Sequence, residues 1–152
     1  MKFRFRFAEQ NENETSQYLL CFYGKIGEMF RADVKTRIED ELSRGEAARR
    51  EGFEGRARVN ARRAAGAAIR AFYEQRGLEA PGPSAIDLLT HLQALIERGE
   101  IELKGNTPNT GLDARQVIEH LLLRVDESFS LSVEADLLAE ARWLASTLEE
   151  NL

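Results

Sequence analysis

The chain has 152 residues, with 21 Lys and Arg against 26 Asp and Glu, two His, one Cys and three Pro. That length suits one domain and excludes a large two-domain enzyme, and the 43% apolar and 31% charged shares are those of a globular protein in water. No apolar run reaches the roughly 18 residues of a membrane span, and a single Cys excludes both an internal disulfide and a multi-Cys zinc site.

Charge divides along the chain. Residues 1–78 hold 16 basic and 12 acidic side chains, while residues 79–152 hold 5 basic and 14 acidic, so +4 and −9 combine to the overall −5. The break falls in Gly77-Leu78-Glu79-Ala80-Pro81-Gly82-Pro83, the one segment dense in Gly and Pro. Neither half alone has much core to bury, so this segment reads as a loop between helices of a single domain spanning 1–152.

Residues 1–10 stand apart as a strand or flexible arm. Lys2-Phe3-Arg4-Phe5-Arg6-Phe7 alternates strictly, with three Phe on one face and three cations on the other. A lone strand needs a partner, and 101–103, 129–131 or the same strand of a second chain all qualify. The opening ten residues have no apolar h-region, so no secretory signal is expected and the cytoplasm is the expected compartment.

Five segments read as helices. The first runs from about Thr15 to Leu42, with Leu19, Phe22, Ile26, Met29, Val34, Ile38 and Leu42 in one stripe. Cys21 reads as a small core residue there. Gly45, Gly52 and Gly55 then predict a break. The second helix runs from about Gly55 to Gln75, with Ala57, Ala61, Ala64, Ala65, Ala68 and Phe72 on one face and Gly77 as its stop. Ser84, three residues before Asp87, predicts the capped start of the third. Ile86, Leu88, Leu89, Leu92, Leu95 and Ile96 make that helix apolar on over half its girth, which predicts a central position. Alternation at Ile101 and Leu103 predicts a short strand in the following loop. The fourth helix runs from Asp113 as N-cap to about Glu127, and the fifth from Ser132 to about Glu149.

These elements predict an all-α, up-and-down bundle of four or five helices. The Ala face of 57–72 and the apolar girth of 86–96 exceed what one chain needs, so a homodimer is expected.

Residues about 57–98 resemble the HEPN superfamily of small helical bundles. The resemblance lies in Ala64-Ala65-Gly66-Ala67-Ala68-Ile69-Arg70-Ala71-Phe72-Tyr73 ending at Gly77, followed by Ala85-Ile86-Asp87-Leu88-Leu89-Thr90-His91-Leu92. Catalytic members of that family are metal-independent ribonucleases with an Arg followed, after a gap of four to six residues, by His. Arg115-Gln116-Val117-Ile118-Glu119-His120 has a gap of four. It departs from the family pattern at Gln116, where a small polar residue or His is usual, and in the further helix that follows. The resemblance implies His120 as general base on a ribose 2′-OH and Arg115 as stabiliser of the phosphorane charge. On a helix the two lie about 140° apart, so they would meet in a cleft at a subunit interface. Without that chemistry, His120 caps an apolar face and Arg115 is solvated.

Other chemistry is sparse. His91, between Leu89 and Leu92, reads as a satisfied edge residue. Two His 29 residues apart make a poor metal site, the acidic clusters lack calcium-loop spacing, and no phosphate-loop, dinucleotide or nucleophile-elbow motif occurs. No metal or cofactor is expected.

Residues 49–76 hold eight Arg and three Glu. Arg56, Arg62, Arg63 and Arg70 are candidates for binding phosphate, since Arg pairs with it bidentately. The competing and favoured reading pairs this basic face with acidic residues of the same fold or of another subunit. A pI near 5.2 opposes strong nonspecific nucleic-acid binding. The favoured function is a non-catalytic interaction or assembly module with a protein partner. The alternative is a HEPN-like ribonuclease.

Overall fold

A computed structural model describes residues 29–124, 131 and 134–152, in which five α-helices occur and no strand. The amino-terminal Arg/Phe alternation and Cys21 lie outside the described residues. The helices are α1 (Ala32–Arg50), α2 (Glu54–Arg76), α3 (Ala85–Glu97), α4 (Ala114–Leu122) and α5 (Leu137–Glu150). They share one apolar cluster, whose largest fully buried members include Leu42, Phe72, Tyr73, Leu92, Ile118 and Leu144. The fold is an all-α bundle.

Helix α1 corrects the expected span of about Thr15 to Leu42 within its described part, and the part before residue 29 lies outside the described residues. Residues 29–31 are not helical, and Arg31 is the N-cap of a helix starting at Ala32. At the other end the helix passes through Gly45 and stops at Arg50. Gly45 is buried where α1 crosses α2 and α5. A Cβ there would collide with Leu138 Cδ2 and lie 3.2 Å from Asn60 Cβ. The missing side chain lets the helices approach, and that packing outweighs the roughly 1 kcal/mol that Gly costs a helix interior. The break comes instead at Gly52, whose φ of 85° closes a short turn into α2.

Helix α2 follows its predicted span closely and ends on Gly77 in the left-handed conformation, with Leu78 N–H donating to Tyr73 O at 2.8 Å. The predicted Ala face is buried, and so are Asn60, Gly66, Ile69, Ala71 and Tyr73. Helix α2 packs against all four others, so it, rather than α3, is the central helix. Helix α3 contacts α2 and α4 and leaves Ile86 44% exposed. The chain's own helices cover Ala57 through Phe72 on that face, which offers nothing to a second copy.

Ser84 caps α3 as its spacing predicts, its Oγ accepting from Asp87 N–H at 3.0 Å. The predicted strand at 101–103 is absent. Ile101 is buried, and its N–H turns back to Leu95 O at 3.3 Å. Asp113 and Gln116 form a reciprocal capping box at the start of α4, at 2.9 and 3.1 Å.

Helix α4 ends at Leu122, five residues short of its predicted end. The Arg62 guanidinium, from α2, donates to Leu121 O at 2.6 Å and to Leu123 O at 2.5 Å. These donors take over carbonyls that would otherwise await the next helical turn. Helix α5 begins at Leu137 rather than Ser132, with Asp136 Oδ1 accepting from Ala139 N–H at 3.2 Å. Arg49 holds the same oxygen at 2.9 Å.

Candidate functional site

Arg115 and His120 sit at opposite ends of a nine-residue helix. Arg115 is exposed in its first turn and lies 3.8 Å from Glu119. It lines a groove with Ile96, Glu97, Ile101 and Glu102, and His120 is not among the residues of that groove. His120 is half-buried in the last turn, where Nδ1 lies 2.9 Å from Oε1 of Glu140 on α5. Within one chain the two side chains therefore face different surroundings and different carboxylates.

Glu140 is a partner of His120 that the sequence reading passed over. Its signal was present: Glu140 lies three residues after Leu137 and four before Leu144, inside the apolar stripe of α5. It is 6% exposed, and Oε2 has no partner among the described residues. Burial raises its pKa above the ordinary value of 4.5, and the bond to His120 pulls it partly back. A raised carboxyl pKa stabilises the fold below the unfolded-state value, and that contribution is lost as pH climbs through the folded-state value. Replacing Glu140 by Gln keeps a hydrogen-bonding partner for His120 without the buried charge. The stability of E140Q relative to the parent is expected to increase between pH 4 and pH 7, read as the difference in Tm across that range.

His91 is held by Tyr73. The hydroxyl lies 3.0 Å from Nδ1, and the rings meet edge to face at 5.5 Å. Burial pushes the Tyr73 hydroxyl up to about 12, so it stays protonated at neutral pH.

The candidate phosphate-binding arginines separate into two kinds. Arg62 is spent on the end of α4, and burial followed by the neighbouring Arg58 charge lowers its pKa. Arg70 donates to Pro83 O at 2.9 Å, which steadies the α2–α3 loop. Arg56 and Arg63, by contrast, are exposed and line one open groove of about 660 Å³ between α1 and α2, together with Arg44. The Arg56 guanidinium stacks 5.0 Å above the Phe53 ring. Around the corner, Val59 also lines a second groove with Arg58, Arg62, Ile86 and Arg124.

The basic segment pairs with acidic residues of its own fold in part. Arg49 bridges Glu54 at 3.1 Å and Asp136 at 2.9 Å, which raises its pKa, chiefly through Glu54. Arg142 returns the favour from α5 to Glu39 at 2.8 Å, and holds that carboxyl below its usual range.

Among the described residues no cluster of His, Cys, Asp and Glu has the makings of a metal site, and no helix is long and apolar enough to cross a membrane. The chain matches no family model, no curated protein and no solved structure.

Proposed function

We propose that this chain is a non-catalytic helical interaction module that docks a protein partner on its α1–α2 face. The observation that carries this reading is the open groove lined by Arg44, Arg56 and Arg63, beside the exposed apolar side chains of Phe53 and Val59. Exposed apolar groups rimmed by polar ones are the usual mark of an association surface. The tie between His120 and Glu140 supports the same reading, because it joins α4 to α5 and gives His120 a structural task.

One observation favours the HEPN-like ribonuclease as a second reading. A buried carboxylate on Nδ1 fixes the imidazole's orientation and leaves Nε2 to take a proton, as in orienting pairs of acid–base enzymes. The two readings part in a single assay. Labelled single-stranded RNA incubated without metal stays intact with the parent and with H120A if the chain is an interaction module. Cleavage by the parent and not by H120A contradicts it and establishes the ribonuclease.

A further inference from the structure

We infer that the α1–α2 groove receives an acidic amphipathic helix of the partner protein. The inference rests on the interaction-module reading and adds the chemistry of the occupant.

Three features select that occupant. The first is charge. Arg44, Arg56 and Arg63 face the groove against a single acidic lining residue, Glu51. Arg63 makes no hydrogen bond or ion pair with the described residues, and Arg44 reaches only Glu41, at 3.8 Å. These guanidinium groups remain available, whereas Arg49, Arg62 and Arg70 are already engaged.

Spacing is the second. Arg56 and Arg63 lie seven residues apart on α2, two turns or about 10.5 Å along one face. A helix laid along α2 with carboxylates at i and i+7 repeats that interval. Each Arg–carboxylate contact then forms without bending either backbone.

The lining is the third. Besides the charged residues, Ala47, Ala48 and Val59 line the groove, with Gly55 and Asn60. Small aliphatic side chains let another helix come within the 8–10 Å of ordinary helix packing. No lining side chain is aromatic, the one ring beside the groove, Phe53, has the Arg56 guanidinium stacked on it at 5.0 Å, and Glu51 opposes a continuous polyanion. The groove therefore favours a helix carrying both carboxylates and aliphatic side chains over RNA.

Fluorescence anisotropy tests this with three labelled probes. One is a 20-residue helical peptide with Glu at i and i+7 flanking a Leu/Ala stripe. The second is its Glu→Lys counterpart, and the third is single-stranded RNA of similar length. In low salt the acidic peptide is expected to bind about tenfold or more tightly than either other probe, and to weaken as salt screens the contacts. R63E is expected to lose about tenfold in affinity, while R98E, on the α3–α4 loop outside the groove, binds as the parent does. Circular dichroism confirms that both variants are folded. Equal binding of the Lys peptide, tighter binding of RNA, unchanged affinity in R63E or no binding of the acidic peptide each overturn the proposed occupant. Scission of the RNA probe would overturn the interaction-module reading itself. Intact RNA with no peptide bound would overturn the occupant alone.

Discussion

Phe72→Ala is expected to destabilise the protein by about 3–5 kcal/mol, the usual cost of deleting a fully buried aromatic ring. Phe72 has no exposed surface, and its ring lies 6.4 Å from that of Tyr73 and under the Arg76 guanidinium. It stands in α2, which touches the other four described helices, so the cavity opens at the centre of the bundle. For a chain of this size the loss corresponds to a fall in Tm of about 10 °C or more. Ile86→Ala is the matching control. Its side chain belongs to the apolar girth that made α3 look central, yet it is 44% exposed, and a change below about 0.5 kcal/mol is expected. Urea unfolding of the two variants ranks the helices directly. An equal cost for both would contradict the central place of α2.

Arg62→Leu is expected to cost about 3 kcal/mol, although the substitution adds an apolar side chain to a half-buried position. It removes two charge-assisted hydrogen bonds and leaves the carbonyls of Leu121 and Leu123 without those donors. The damage is expected to begin locally, at the carboxyl-terminal turn of α4. Amide exchange there should speed up before global unfolding is affected. Arg62→Lys retains the charge but not the fork that spans two carbonyls, so it is expected to recover only part of the loss. A variant as stable as the parent would show that α4 ends for another reason.

These two residues also show what the sequence could and could not reveal. Local signals were readable. Ser84, Asp113 and Gly77 mark helix ends through atoms within a few residues of the mark, and all three act as their spacing predicts. The Ala periodicity of α2 likewise named its buried face. Three of the misreadings share one cause, a partner distant in sequence. Gly45 looked like a breaker because its helix cost is local, whereas its compensation comes from Leu138 and Asn60. Helix α4 looked longer because the side chain that ends it stands about sixty residues earlier. Helix α3 looked central from its composition, but burial depends on which neighbours reach it. At the candidate site the same rule held. His120 was visible as a residue, while its carboxylate partner on α5 emerged only from the packing of the two helices.

Charge followed a related pattern. The basic face of 49–76 was expected to pair with acidic residues, and it does so only in part: Arg49 reaches Asp136 in the acidic half, and outside that face Lys35 reaches Glu149. Among the described residues of the basic half, Arg37, Arg50, Arg56 and Arg63 form neither an ion pair nor a hydrogen bond, and all four stand on α1 or α2. Making no such contact, these side chains do little to hold the fold together, and the proposed docking of an acidic helix rests on two of them, Arg56 and Arg63.

A double-mutant cycle on His120 and Glu140 tests the central claim most directly, since it asks whether the histidine's task is to join two helices. H120A, E140A and the double variant are unfolded in urea at pH 7. The account predicts that each single change destabilises the protein and that the double variant loses less than the sum, with a coupling of about 1 kcal/mol or more. Strict additivity, with H120A as stable as the parent, would contradict it and leave His120 free for chemistry.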